Sequence, residues 1–283
     1  MRLYKYLHPD RITVLRDGLI RFSSPKVLND PFELKPHVSE IATKQYLDAE
    51  IDCSLPNILD EEYLNLPLEF RKQVSVQQFR SLVMTHFPTL KSKVEELATT
   101  ASAMSQHLMA QKFEEMIGVL CLTETPDNLL MWAHYADSHQ GFVVEFDSDA
   151  PFFNQRNGSS DEFRHIRKVA YSDSRPSLIL SESEGFSPFF TKGIDWSYEA
   201  EWRMMLPLFE ANHVIGQGPT GVHLFAYPRT AIRSVIFGCR MTEATKRNLT
   251  NILQTVDELR SIECYQASID KEHYRLRVSP VDC

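Results

Sequence analysis

The chain opens on an alternating stretch, Arg2 to Tyr6, whose period of two predicts a strand. His8-Pro9-Asp10 then offers a helix start, with Ile12, Leu15 and Leu19 at helical spacing and Gly18 as the stop. Leu19 to Ser23 predicts a second strand. Ser24-Pro25 and a loop carrying Asn29-Asp30-Pro31-Phe32-Glu33 follow. The texture changes from about residue 39 to residue 116. Glycine is absent from 19 to 117, and Leu, Glu, Lys, Gln, Ala and Met dominate. Helices are predicted near 40–53, 60–72, 75–86 and 88–116, punctuated by Pro56, Pro67 and Pro88. Beyond them, Gly118 to Thr123 predicts a buried strand. Asp127 to Ala136 predicts a helix capped near Pro126-Asp127, and Gly141 to Phe146 another strand. Arg164 to Tyr171 predicts a strand, residues 177–191 a helix, and residues 195–203 an extended segment. Val222 to Tyr227 and Arg233 to Phe237 predict strands. Met241 to Leu259 predicts an amphipathic helix with Thr242 as its N-cap, and Ile262 to Gln266 and Tyr274 to Val278 the last strands.

This order predicts an α/β (α+β) fold with a central mixed, largely antiparallel sheet and a helical insertion. A single domain is expected over 1–283, with its core in 1–38 and 117–283 and the insertion at 39–116. Composition changes that picture little. Of 283 residues, 43% are hydrophobic and 24% charged, which is ordinary for a globular chain. No run of about 18 apolar residues predicts a membrane span, and the first residues carry no secretory h-region. The five cysteines, Cys53, Cys121, Cys239, Cys264 and Cys283, are scattered and mostly set in apolar runs. They read as reduced packing residues of a cytoplasmic protein. The net charge of −8 argues against a general nucleic-acid-coating surface. No Rossmann fingerprint, P-loop, nucleophile elbow or paired Cys/His zinc motif is present, so no metal site is expected.

The most informative stretch is Asp195-Trp196-Ser197-Tyr198-Glu199-Ala200-Glu201-Trp202-Arg203. If it is extended, Glu199, Glu201 and Arg203 share one face, and Tyr198 and Trp202 the other. Two acids about 6.5 Å apart at their Cα atoms would then stand on a ribbon backed by buried rings. Such a pair could stabilise a cation-like transition state or divide acid and base roles. It reads equally as a solvated face with a surface ion pair. Glu201→Gln is expected to abolish activity at little cost in stability.

Met131-Trp132-Ala133-His134-Tyr135 could bind a ring, or be core with a satisfied histidine. Asn29 to Glu33 could be a self-capped turn or face a cleft. Lys5 between Tyr4 and Tyr6 could be one solvated position, or could hold a phosphate or a ribose hydroxyl, with Ser23 and Ser24 at the end of the second strand.

Taken in order, LYKY, FSSP, LNDPFE, CLTET, MWAHYADSHQGFVVEFD, DWSYEAEWR and VIFGCRMT resemble an uncharacterised bacterial domain-of-unknown-function family. That family is typified by NDPFE, MWAHYA and WSYE-x-EWR boxes and brings no settled activity. A more distant resemblance is to the ADP-ribosyltransferase fold. It opens strand-helix-strand and closes its site with a Glu that often ends a Glu/Gln-x-Glu pair. The resemblance implies NAD as cofactor and Glu201 as the catalytic carboxylate, with Glu199 orienting the acceptor. It implies Lys5 at the His/Arg place, and Ser23 or Ser24 near the middle motif. Tyr6, Asn29, Trp132, His134 and Tyr135 complete the expected NAD-binding set. Lys5 departs from the pattern, since a lysine cannot fork to two hydroxyls as Arg can.

The expected partner is thus a small nucleotide ligand, with no membrane. The acceptor and the oligomeric state are left open, and a phage-defence or toxin context is an analogy. Two alternatives stand beside this. One is a non-enzymatic interaction or regulatory domain of a defence or stress system, in which Glu199 and Glu201 pair with Arg203 or Lys192. The other is a hydrolase, either a two-carboxylate glycosidase or a nuclease holding a metal through acids such as Asp30, Glu33 and Glu201.

Overall fold

The computed structural model describes residues 1–182, 185–217 and 220–283, with the backbone alone at Leu90. The chain forms two compact units. One comprises residues 1–35, 111–175 and 189–283, the other residues 36–110 and 176–188.

The larger unit is built on an eight-stranded sheet. Its middle is β1 (Arg2–Leu7), with β4 (Ile117–Thr123) on one side and β5 (Phe142–Asp147) on the other. Beyond β4 lie β10 (Glu201–Pro207) and the short β6 (Arg167–Lys168). Beyond β5 lie β13 (Ile232–Phe237), β14 (Glu263–Ile269) and β15 (Leu276–Val281). Every pair is antiparallel except β13 with β14. A parallel pair needs a crossover, and α6 (Glu243–Thr255) supplies it. Thr242 caps α6 by accepting from the Thr245 amide, and Leu249, Ile252 and Leu253 are buried. The sheet is therefore mixed and mostly antiparallel, as the pattern predicted.

Two smaller groups flank it. β2 (Leu19–Phe22), β12 (Val222–Ala226) and β11 (His213–Ile215) form a three-stranded sheet, and β7 (Ala170–Ser172) pairs with β9 (Thr191–Gly193). α1 (Thr13–Asp17) ends on Gly18 in the left-handed region, and α5 (Leu129–Tyr135) is capped by Asn128. The core has two clusters. One gathers Leu3, Leu7, Phe22, Phe146, Met204, Phe225 and the inner face of α6. The other gathers Tyr6, Trp132, Val143 and Ile236. β1 feeds both, because Leu3 and Leu7 alternate with Tyr6.

The MWAHYADSHQG box has a structural explanation. After α5, Asp137, Ser138 and His139 all adopt positive φ (48°, 52° and 73°). Gly141 then approaches the Leu7 carbonyl so closely that a Cβ would meet it at 2.1 Å. Only glycine allows that approach.

The second unit holds β3 (His37–Glu40) paired in parallel with β8 (Ser177–Ile179). It also holds α2 (Lys44–Asn65), α3 (Leu68–Gln73) and most of α4 (Val76–Met116). Pro56 and Pro88 lie inside α2 and α4 rather than between helices. An interior proline costs about 3 kcal/mol. The helix expected at 177–191 is absent from its described part. β8, a 3-10 turn at Ser187–Phe190 and β9 take its place, and residues 183–184 lie outside the described residues. Gly185 and Pro188 interrupt any helical register there.

The expectation of five reduced cysteines fails for one pair. Cys264 on β14 is bonded to Cys283, with Cα atoms 5.7 Å apart. Cys264 faces Val281 across the β14–β15 ladder, which brings the chain end alongside. Cysteine spacing along the chain offers no hint of it. A loop of this length predicts that Cys283→Ser, or added reductant, lowers stability by about 3 kcal/mol. Urea midpoints with and without reductant check this. An unchanged midpoint would show that the bond contributes nothing. No described helix is long and apolar enough to cross a membrane.

Candidate active site

The sheet opens beside its middle strand. β1 and β4 are paired at one position, Tyr4 opposite Thr123. Further along, β4 pairs instead with Ser23 at the end of β2, through reciprocal bonds between Ser23 and Val119. A cavity of about 320 Å³ lies where the strands part. Lys5 reaches over β4, and its ammonium donates to the Cys121 carbonyl at 2.8 Å.

The acidic segment differs from its expected form. Ile194–Glu199 is a 3-10 turn, Ala200 is left-handed with φ 42°, and the strand begins only at Glu201. Glu199 and Glu201 therefore do not sit on one ribbon. Burial is also reversed. Glu199 and Glu201 are 4% and 3% exposed, while Trp196, Tyr198 and Trp202 are only half-buried. A 3-10 turn carries its residues inward by a route that an alternating pattern cannot express.

Five charged groups meet at the cavity floor. Arg203, fully buried, forks onto Glu201, with Nε to Oε1 at 2.8 Å and Nη2 to Oε2 at 2.9 Å. Arg203 also pairs with Glu33 and donates to the Phe189 carbonyl at 3.2 Å. Lys192 binds Glu199 Oε2 at 2.6 Å and lies 3.5 Å from both Glu201 and Glu33. Its ammonium sits 4.6 Å from the centre of the Trp196 ring. The Tyr135 hydroxyl donates to Glu199 Oε1 at 2.6 Å and accepts from Asn29 at 3.0 Å. The backbone is fixed as well. Thr123 Oγ1 donates to the Glu199 carbonyl, and the Glu201 amide donates to the Tyr171 hydroxyl.

These contacts set the proton equilibria. Burial raises Glu33, and the neighbouring carboxylates Glu201 and Glu199 add to this. Arg203 and Lys192 offset only part, leaving it at about 7. Burial would also raise Glu201, but Arg203 and Lys192 outweigh it and hold the group at about 2. Burial opposes the Lys192 ammonium, yet Glu201, Glu33 and Glu199 lift it above its ordinary value. Burial, helped by Glu199, pushes the Tyr135 hydroxyl up, so it stays a donor. Burial lowers Lys5. The stability consequences have opposite signs. Glu33, raised in the fold, favours folding on the acid side and loses that contribution as pH climbs from about 4.5 to about 7. Glu201, depressed in the fold, contributes above about 4.5 and loses its contribution as pH falls towards about 2.

The cavity gathers Lys5, Tyr6, Ser23, Asn29, His134, Tyr135, Glu199 and Glu201 from the expected set. It omits two. Ser24 is buried, donates to the Glu114 carbonyl at 2.7 Å and caps the following turn. Trp132 is fully buried, donates to the Pro126 carbonyl and packs edge-on against Tyr6. Both are core, the reading that an aromatic-rich helix face offers for Trp132 from its pattern alone. Tyr6 touches the cavity, but its hydroxyl is committed to the Thr125 carbonyl. The sequence pattern set Arg203 on the face of the two acids without making it a site residue, and offered Lys192 only as an ion-pair partner. It placed Glu33 only in a turn or in a metal set. That metal set is not assembled: Glu33 and Glu201 line the cavity, whereas Asp30 does not and turns Oδ1 to the Phe32 amide. Among the described residues no group of three or more His, Cys, Asp or Glu could hold a metal ion. The expected mildness of Glu201→Gln also fails, since Glu201 is the buried partner of Arg203 rather than a surface residue.

The chain is thus a mixed α/β protein with a carboxylate-lined cavity at a split in its main sheet. Residues 131–204 match the model of the family described as Protein of unknown function (DUF2971). The match begins at the first residue of the MWAHYA box and ends just past WSYEAEWR, so the expected domain-of-unknown-function family is found over that stretch. The NDPFE box lies outside it. No curated protein and no solved structure matches the chain.

Proposed function

We propose that this cavity binds the nicotinamide-ribose half of NAD and that the chain is an ADP-ribosyltransferase-like enzyme. The observation that carries the reading is the convergence of Glu199, Glu201, Lys5, Ser23, Asn29 and Tyr135 on one cavity between β1 and β4. Its volume of about 320 Å³ suits part of a dinucleotide rather than the whole. Val27, Leu28, Val119, Leu122 and Met131 offer apolar wall for a ring. Glu199, held by Tyr135 and Lys192, is fixed in advance where a ribosyl cation would develop. Preorganised charge in a dry site is the strongest means of lowering such a barrier. This departs from the resemblance, which makes Glu201 the catalytic carboxylate and Glu199 the acceptor-orienting one: Glu201 is forked by Arg203 and anchors Arg203 and Lys192 behind Glu199. Lys5 serves a phosphate or ribose hydroxyl. A bacterial, cytoplasmic, phage-defence setting goes with the reading by resemblance alone.

The interaction-domain alternative also has an observation in its favour: every acid of the cluster is ion-paired within the chain. Nicotinamide release separates the two. Incubation with NAD should liberate nicotinamide, with ADP-ribose passing to water or to an acceptor. No release above the uncatalysed rate, with and without added cell protein, would overturn the enzyme reading.

A further inference from the structure

Glu33 belongs to a turn that is built to hold it inward. Asp30 Oδ1 accepts from the Phe32 amide, the Glu33 amide donates to the Asp30 carbonyl at 3.2 Å, and buried Leu34 is forced to φ 57°. A left-handed leucine is strained, and such strain persists only where its surroundings impose it. Glu33 lines the cavity and is 3% exposed.

The three carboxylates differ in what their oxygens do. Both oxygens of Glu199 accept, from Tyr135 and from Lys192. Both oxygens of Glu201 accept, from Arg203. Arg203 and Lys192 both meet Glu33 at Oε1, and no described hydrogen bond engages Oε2. Three acids share two directly paired cations, Arg203 and Lys192, while the third ammonium of the cavity, Lys5, is bonded to the Cys121 carbonyl. The charged and titratable groups that meet it or share its cavity are Arg203 and Glu201 on β10, Lys192 on β9, Glu199 on its turn, the Cys121 thiol on β4, Lys5 on β1, and His134 and Tyr135 on α5.

We infer that Glu33 is the proton acceptor of this cavity. This rests on the reaction proposed above. A water or acceptor hydroxyl oxygen bonds to the ribose C1′, and nicotinamide leaves with the electron pair of the C1′–N bond. The proton of the attacking oxygen passes to Glu33 Oε2 and then to solvent. Atoms and charge balance: NAD and the nucleophile give the ADP-ribosyl product, neutral nicotinamide and one proton. With Glu33 at about 7, the base is ready near neutrality. Glu199 and Glu201 already accept at both oxygens, so each is the weaker acceptor for a further proton.

The test follows nicotinamide release as a function of pH for the full chain and for Glu33→Gln. In the wild type, kcat/KM should rise with pH through a limb near 7. In Glu33→Gln, turnover should fall by about 100-fold or more and lose the limb, with NAD affinity nearly unchanged. Turnover within a few-fold of wild type, or a limb that persists, would overturn the inference. If Glu33→Gln does not fold, Glu33→Asp replaces it: the shortened carboxylate should lower turnover and move the limb, and wild-type turnover with an unmoved limb would overturn the inference. If neither protein releases nicotinamide, the NAD reading fails and infrared titration judges Glu33 alone. A protonated-carboxyl band that bleaches through neutrality in the wild type and is missing from the Gln variant upholds it. The same band in both proteins overturns it.

Discussion

Arg203→Met should destabilise the protein by about 3–5 kcal/mol, the range for removing one partner of a buried ion pair. Arg203 is fully enclosed and binds both Glu201 and Glu33. Methionine fills much of the volume but leaves two buried carboxylates facing only Lys192. Thermal unfolding should show a Tm lower by roughly 10 °C. The loss should shrink at acid pH, where the orphaned carboxylates take up protons. Pairing the change with Glu201→Leu should restore part of the stability, because it removes one of the two stranded carboxylates and leaves Lys192 to Glu33 and Glu199. A Tm within a degree or two of wild type for Arg203→Met would mean that the cluster is solvated, and the site geometry derived from it would fail.

Glu199→Gln is the second large effect, and it falls on activity. The amide keeps the shape and can still accept from Tyr135, but it removes the charge set against the developing cation. A loss of about 100- to 1,000-fold in kcat is expected, the size seen when one fixed transition-state partner is removed. KM for NAD should change little. Folding should be disturbed less than by Arg203→Met, because Lys192 keeps Glu33 and Glu201 as neighbours. Release of nicotinamide under saturating NAD measures it. A variant with wild-type kcat would remove Glu199 from the chemistry.

Much of the sheet was legible, and the reason is local. β1, β4, β5, β13 and β14 alternate or run apolar over whole strands, and α6 carries both a cap and a clean apolar face. The cavity was partly legible through Lys5, Ser23, Asn29, Tyr135, Glu199 and Glu201, which lie in dense boxes. What escaped was long-range. Nothing near Glu33 announces that Arg203, far along the chain, will bind it. Nothing near Cys264 announces Cys283. The acidic segment misled because Glu-x-Glu-x-Arg imitates strand alternation, while a 3-10 turn and a left-handed Ala200 bring Glu199 into the site by another path. Trp132 misled for the opposite reason. A buried tryptophan with its N–H satisfied is a core residue, and its neighbours Tyr135 and His134 reach the cavity without it.

Calorimetric titration of the intact protein with NAD tests the central claim most directly. The carboxylate-floored cavity between β1 and β4 predicts saturable heat at one site per chain, abolished by filling the cavity with Ser23→Trp in a protein that still melts cooperatively. No heat at millimolar NAD, or heat that survives Ser23→Trp unchanged, would contradict it.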